Sequence, residues 1–268
     1  MPQYNILNID KVINEYKNLE SKLKSNFPSE IDAAEELADN VINPSNTPIE
    51  YVWRSIWEKP LYANTRVATA DKWIAKLEKY MANSLNTWGH EEGLLIKKIG
   101  KTRKNIDFSI EGKLKSKILD LNIAYSRLYS IQCAAISLRE MMNNNPYPLS
   151  FIMDKNYSFK KIMKQMSFGY GWGSITKLHA LTDLGYSVKP DLHLCRTIHH
   201  LGMCPEISKG VEVPSLEQSI IINLACMELL SVLQKRFPGE GYRLRSLDYI
   251  LMRVSMREFL SQENTLCI

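Results

Sequence analysis

Apolar residues recur at helical spacing through most of the chain. Val12, Ile13, Tyr16, Leu19 and Leu23 share one helical face, and Asn26-Phe27-Pro28 ends that run. A second helix follows from Ser29, with Ala33, Ala34, Leu37 and Val41 on one side. The stretch Asn43-Pro44-Ser45-Asn46-Thr47-Pro48 has the composition of a loop. Beyond it, Tyr51, Val52, Ile56 and Trp57 precede Pro60, and Trp73, Ile74, Leu77 and Met81 predict a helix from about Thr69 to Met81. Leu114, Ile118, Leu121, Tyr125, Leu128, Ile131 and Ala135 mark a long amphipathic stretch between about Lys113 and Met142, closed by Asn143-Asn144-Asn145-Pro146-Tyr147-Pro148. Segments 149–166, 174–185, 192–201, 215–236 and 246–261 complete the helical set. No alternation of polar and apolar residues stands out as a β-sheet, and no internal repeat or low-complexity linker is evident. The pattern predicts an all-α protein of two packed helical lobes. Residues 1–65 with 192–268 are expected to form a terminal lobe, and 66–191 a central one.

Composition narrows this little. The 268 residues are 45% hydrophobic and 24% charged, ordinary globular values that exclude a disordered or collagen-like chain. No run of about 18 uninterrupted apolar residues is present, so no membrane is expected. Met1-Pro2-Gln3-Tyr4-Asn5-Ile6 lacks a basic segment followed by an apolar core, and the expected location is cytoplasmic. The 34 basic and 29 acidic residues leave a surplus of +5, which permits a polyanionic partner without demanding one. Cys133, Cys195, Cys204, Cys226 and Cys267 are too scattered for zinc or iron–sulfur ligation and read as free thiols.

The informative stretch runs from Ser158 to Gly202. One helix ends near Met166, and Gly169-Tyr170-Gly171-Trp172-Gly173 alternates glycine with aromatics. A new helix begins near Ser174, within a hairpin spanning about 158–185. Glycine permits tight turns and lets a ligand approach the backbone, since no Cβ intervenes. The unpaired N–H groups and positive dipole end of the second helix face the same place, and a phosphate suits them. A plain turn between two helices would also explain three glycines. Further on, Lys189-Pro190-Asp191-Leu192-His193-Leu194-Cys195-Arg196 puts an aspartate where a helix starts, which alone reads as an N-cap.

Taken together, the two parts resemble a family. Gly169-Tyr170-Gly171-Trp172-Gly173-Ser174-Ile175-Thr176 is similar to the Leu-Pro-Gly-Val-Gly-x-Lys-Thr hairpin of the helix-hairpin-helix DNA glycosylases, the endonuclease III superfamily. Pro190-Asp191-Leu192-His193-Leu194-Cys195-Arg196 resembles that family's Val-Asp-Thr-His-Ile-x-Arg, and Leu201-Gly202 its Leu-Gly ending. The resemblance covers about residues 158–202. It implies an enzyme that flips a modified base out of double-stranded DNA into a pocket between two lobes and cuts its N-glycosidic bond. Asp191 takes the catalytic position. Gly169, Gly171, Gly173 and Thr176 take the phosphate-gripping one. Bifunctional relatives carry a Schiff-base lysine where this chain has Ile175, and Lys177 should face elsewhere, so a monofunctional enzyme working through water is expected. The cysteine set that holds an iron–sulfur cluster in many relatives is missing, and no cofactor or metal is expected. A monomer is expected.

Other residues are candidates of lower rank. Trp172, Lys160, Lys164, Lys177 and Lys189 could touch DNA, although Trp172 and Tyr170 could equally pack beneath the hairpin. Lys97, Lys98, Lys101, Arg103, Lys104, Lys113, Lys115 and Lys117 form a basic stretch that is either a solvated face or a phosphate contact. Tyr51, Trp53, Trp57, Tyr62 and Trp88 are aromatics that could hold a flipped base, though helical spacing also fits core packing. His193 and Arg196 match family positions that are mainly structural or phosphate-facing, His199 and His200 continue that helix with no acidic or cysteine partner at ligand spacing, and His179 is expected to pack between helices. The base excised is open: alkylated or oxidised purines, deaminated or mismatched pyrimidines, or hypermodified cytosines of phage DNA such as glucosylated hydroxymethylcytosine. The alternatives are a non-catalytic helix-hairpin-helix DNA-binding protein, in which Asp191 is dispensable, and a helical interaction protein whose hairpin is a plain turn.

Overall fold

A computed structural model describes residues 8–63, 65–80, 84–101, 106–142, 145–204 and 214–260. In chain order its elements are α1 (Ile9–Asn26), α2 (Pro28–Asp39), α3 (Ile49–Trp57), α4 (Lys59–Tyr62), α5 (Val67–Lys79), β1 (Leu95–Lys101) and β2 (Ile106–Glu111). Then come α6 (Lys115–Leu119), α7 (Tyr125–Met142), α8 (Phe159–Gln165), α9 (Ser174–Asp183), α10 (Leu192–His200), α11 (Leu216–Arg236) and α12 (Leu244–Met256). Met81, Arg103, Lys104, Asn143, Asn144, Cys267 and the side chain of Lys101 lie outside the description. The chain is mostly helical.

It divides into two compact units, Met1–Ile42 with Leu181–Ile268, and Asn43–Ala180. These boundaries fall earlier than the sequence placed them. Residues 43–65 belong with the central unit because α3 and α4 pack on α7. Residues 181–191 belong with the terminal unit, where Val188 and Lys189 are hydrogen-bonded to Asn223 and Asp248.

In the terminal unit, α1 buries Val12, Ile13, Tyr16, Leu19 and Leu23, the face read from the sequence. Asn8 caps it by accepting the Lys11 N–H. On α2 the buried alanines are Ala34 and Ala38, one turn apart, while Ala33 and Leu37 are half-buried. The core closes with Leu194 and Ile198 of α10, Ile222, Leu229 and Leu233 of α11, and Leu247, Leu251 and Val254 of α12. By length and composition α11 could cross a membrane, with a mean hydropathy of 1.5 that the count of uninterrupted apolar residues passed over. Here its buried face carries Ser219 and Asn223 among the apolar residues.

The central unit is built on α7. Gln132 of α7 binds the edge of β1 as a neighbouring strand would, accepting the Ile96 N–H at 2.7 Å and donating to the Ile96 carbonyl at 2.9 Å. Arg127 donates to the Leu61 carbonyl and lies over the Trp73 ring, and Arg139 donates to the carbonyls of Leu85 and Trp88. The antiparallel pair β1–β2, with a bulge between Lys98 and Gly100, is a small addition to an otherwise helical chain, as the all-α expectation has it, although no sheet was expected. The signal was present: Ile106-Asp107-Phe108-Ser109-Ile110-Glu111 alternates strictly. The long helix expected over 113–142 is broken into α6 and α7, where Asn122 takes a left-handed φ of 53°.

One buried carboxylate ties α2 to α12. Glu30, 4% exposed, accepts hydrogen bonds from Tyr249, Arg253 and Arg257. Burial pushes its pKa up, but the bonds from Arg257, Arg253 and Tyr249 outweigh it and hold the group down at about 2. Its folded pKa lies below the unfolded value, so its stabilisation is complete above about 4.5 and is lost as pH falls towards 2. Glu30→Gln should cost roughly 3 kcal/mol at pH 7 by denaturant titration and flatten the acid limb of the stability profile. An unchanged acid limb would contradict this assignment.

Candidate functional site

The glycine loop is held from beneath and exposed above. Trp172 is 4% exposed, its Nε1–H donates to the Ser130 carbonyl at 2.9 Å, and its ring meets Phe168 edge-on. It is therefore a packing residue, which removes it from the DNA-contact candidates. Gly169 and Gly171 adopt φ values of 97° and 79°, where a side chain is strained. A Cβ on Gly171 would also lie 1.9 Å from the Ser130 Oγ. Gly173 differs. Its φ is ordinary and a Cβ there would meet nothing within 4 Å, so the fold itself does not require glycine.

Two further bonds brace the loop. Thr176 Oγ1 donates to the Gly171 carbonyl at 3.2 Å, and Lys177 Nζ donates to Ser167 Oγ at 2.5 Å. Burial pushes the Lys177 pKa down. Tyr170, 37% exposed at the tip, packs against Phe108 of β2 and Tyr129 of α7 with ring centres 5.5 and 5.6 Å away. The first N–H groups of α9 have no partner within their own helix. The exposed glycine backbone leads directly into them.

Asp191 is the N-cap of α10. Its Oδ1 accepts the N–H groups of His193 and Leu194, both at 3.0 Å, and Oδ2 takes no part in the cap. The side chain is half-buried and sits at the positive end of the α10 dipole, which favours its negative charge. Burial pushes the neighbouring Cys195 thiol up to about 11, with the Asp191 charge adding to the effect, so this cysteine is no competing nucleophile. The loop lies in the central unit and Asp191 in the terminal one, joined by α9.

The remaining candidates are dispersed. Lys160 and Lys164 are exposed on α8, whereas Lys189 is half-buried. Lys97 is exposed but paired with Glu111 at 2.6 Å. Trp53, Trp57 and Trp88 are fully buried, so no ring face is open to stack on a base, while Tyr51 is 70% exposed. Tyr62 packs on His179, with ring centres 5.5 Å apart. Two aromatics that the sequence reading passed over, Phe151 and Tyr157, do line a cavity of about 550 Å³ in the central unit, with Asn145, Asp154 and Gln165. His193 Nδ1 lies 3.3 Å from Ser255 Oγ, and His200 Nε2 lies 3.3 Å from Glu15 Oε1. Among the described residues no three His, Cys, Asp or Glu side chains gather as metal ligands.

The second and third glycines of the loop separate a structural turn from a phosphate grip. Gly171→Ala should destabilise the fold by about 2 kcal/mol or more, through strained φ and the Ser130 overlap. Gly173→Ala should cost under about 1 kcal/mol, yet weaken duplex DNA binding about ten-fold. Thermal unfolding and fluorescence anisotropy measure the two effects. Unimpaired DNA binding by a folded Gly173→Ala would identify a plain turn.

Comparison with protein-family models, with curated proteins and with solved structures finds no match to this chain.

Proposed function

We propose that this protein is a monofunctional DNA glycosylase that hydrolyses the N-glycosidic bond of a modified base in double-stranded DNA and leaves an abasic site. The observation that carries the reading is a pairing along one stretch of chain. A glycine loop exposes its backbone, and a helix-capping carboxylate keeps one oxygen out of its cap. Gly173 supports it, because glycine is unneeded there for the fold and useful where a phosphate meets backbone.

In this reading the N–H groups at the start of α9 bind a phosphate. The C1′–N bond breaks with its electron pair leaving on the base, and positive charge grows on the sugar. The Asp191 carboxylate stabilises that charge and orients the water that adds to C1′. One water proton passes to the departing base and the hydroxyl stays on the sugar. Ile175 offers no amine at the position of the family's lysine, and Lys177 is engaged with Ser167, so hydrolysis ends the reaction. The reading covers base repair and defence against modified phage DNA alike.

Duplexes carrying alkylated or oxidised purines, deaminated or mismatched pyrimidines, or glucosylated hydroxymethylcytosine provide the test, with alkali to cut abasic sites. Wild type should release one of these bases. Asp191→Asn, which keeps the cap, should bind that duplex equally and excise it at least about a hundred-fold more slowly. Borohydride should trap no covalent protein–DNA adduct. Equal excision by the variant, or a trapped adduct, would overturn the proposed mechanism. Binding without excision of any base would favour a non-catalytic DNA-binding protein.

A further inference from the structure

The approach to Asp191 is irregular backbone in a buried setting. Residues 187–191 form neither helix nor strand, yet Ser187, Val188 and Pro190 are buried. Backbone groups removed from water must find partners, and without a sheet these come from side chains. Asn223 of α11 accepts the Val188 N–H at 2.7 Å and donates to the Val188 carbonyl at 3.4 Å, as an adjacent strand would. Its amide also donates to the Ser219 carbonyl at 2.9 Å, which fixes its orientation. Asp248 of α12 accepts the Lys189 N–H on Oδ1 at 2.7 Å. Its Oδ2 receives Arg245 at 2.9 Å, and Arg245 reaches on to Asp183 at 3.2 Å. The Asp191 N–H in turn donates to the Lys189 carbonyl at 2.8 Å, so the residue gripped by Asp248 also closes the turn that ends at Asp191.

We propose that Asn223 and Asp248 are positioning residues, which hold 187–191 so that the Asp191 oxygen outside the α10 cap points in one fixed direction. The inference rests on the reading of Asp191 as the catalytic carboxylate. Both side chains are expensive to keep where they are. Asn223 is 1% exposed and Asp248 5% exposed, and each lies on a mostly apolar buried helical face. An unpaired buried amide or carboxylate would destabilise the fold, and an apolar residue would pack more cheaply. Each instead has its polar groups paired, and each pairs with the segment that carries Asp191.

Asp248 is also electrostatically linked to Asp191. Burial pushes its pKa up to about 6, Arg245 and the Lys189 N–H pull it back, and the Asp191 charge pushes it further up. The charged and titratable groups around it are Arg245 beside it, Lys189 and Asp191 in the segment, Asp183 on α9, and Cys226 on α11. At neutral pH Asp248 is ionised and its clamp is formed. Below about pH 6 it is protonated and the ion pair with Arg245 is lost.

The full-length protein, without DNA, gives the first reading by NMR. In wild type the Lys189 amide resonance, whose N–H is held by Asp248, should show an inflection near pH 6 that reports Asp248. Asp248→Asn should abolish it and speed exchange of the Val188, Lys189 and Asp191 amides about ten-fold, with α1 amides unchanged. On whichever duplex wild type cleaves, Asp248→Asn should lower the single-turnover excision rate about ten-fold or more and leave DNA affinity unaltered. Should Asp248→Asn not fold, Arg245→Lys keeps the charge, loses the paired hydrogen bonds, and should move the exchange and excision readings the same way while shifting the inflection to higher pH. A Lys189 amide pH profile and amide exchange identical to wild type would overturn the proposal. So would full excision by a folded Asp248→Asn when Asp191→Asn is inactive. Activity in Asp191→Asn would instead remove the glycosylase mechanism itself.

Discussion

The hold of α7 on the 169–173 loop is the constraint from which the rest follows. Ser130 accepts the Trp172 indole N–H on its carbonyl, and its hydroxyl occupies the space a side chain at Gly171 would need. The loop's largest side chain is thereby turned inward. What remains outside is backbone at Gly169, Gly171 and Gly173 with Tyr170 at the tip, followed by the start of α9. A surface of this kind recognises an anion by N–H groups alone, without a cluster of cations. That suits a chain whose basic surplus is only +5.

In the proposed reading the two units divide the chemistry. The central unit carries the glycine loop, braced by one long helix, with Tyr170, Phe108 and Tyr129 seating β2 against the tip. The terminal unit carries Asp191 at the head of α10, on a core shared by α1, α2, α11 and α12. Three of its buried polar groups do a definable job. Glu30 fastens α2 to α12, while Asn223 and Asp248 replace a missing strand beside 187–191. Buried charge adds little net stability, but it fixes geometry when every donor is paired.

Local signals were the most legible. The α1 face and its stop, and the capping role of Asp191, depend on neighbours within one turn, and sequence spacing records those. The β1–β2 pair was missed because its alternation is six residues long and sits inside a stretch conspicuous for lysine. The unit boundaries were misplaced because they depend on contacts of α3 and α4 with α7, far apart in sequence. Trp53, Trp57 and Trp88 show the same limit: an aromatic at helical spacing suits a pocket or a core equally, and only packing chose the core. The sequence does carry a trace of the clamp. Asn223 interrupts Ile220-Ile221-Ile222 and Leu224-Ala225, and Asp248 stands between Leu247 and Tyr249-Ile250-Leu251. Such lone polar residues in apolar runs signal a buried partner without naming it.

The central claim is that Asp191 meets positive charge on a sugar. It can be measured without knowing which base is removed. A duplex bearing a pyrrolidine in place of one nucleoside presents a cationic ring, and one bearing a tetrahydrofuran presents a neutral ring of similar shape. Wild type should bind the cationic duplex about a hundred-fold more tightly than the neutral one, and Asp191→Asn should lose that preference while binding the neutral duplex normally. A preference that is absent in wild type, or that survives in Asp191→Asn, would contradict the account.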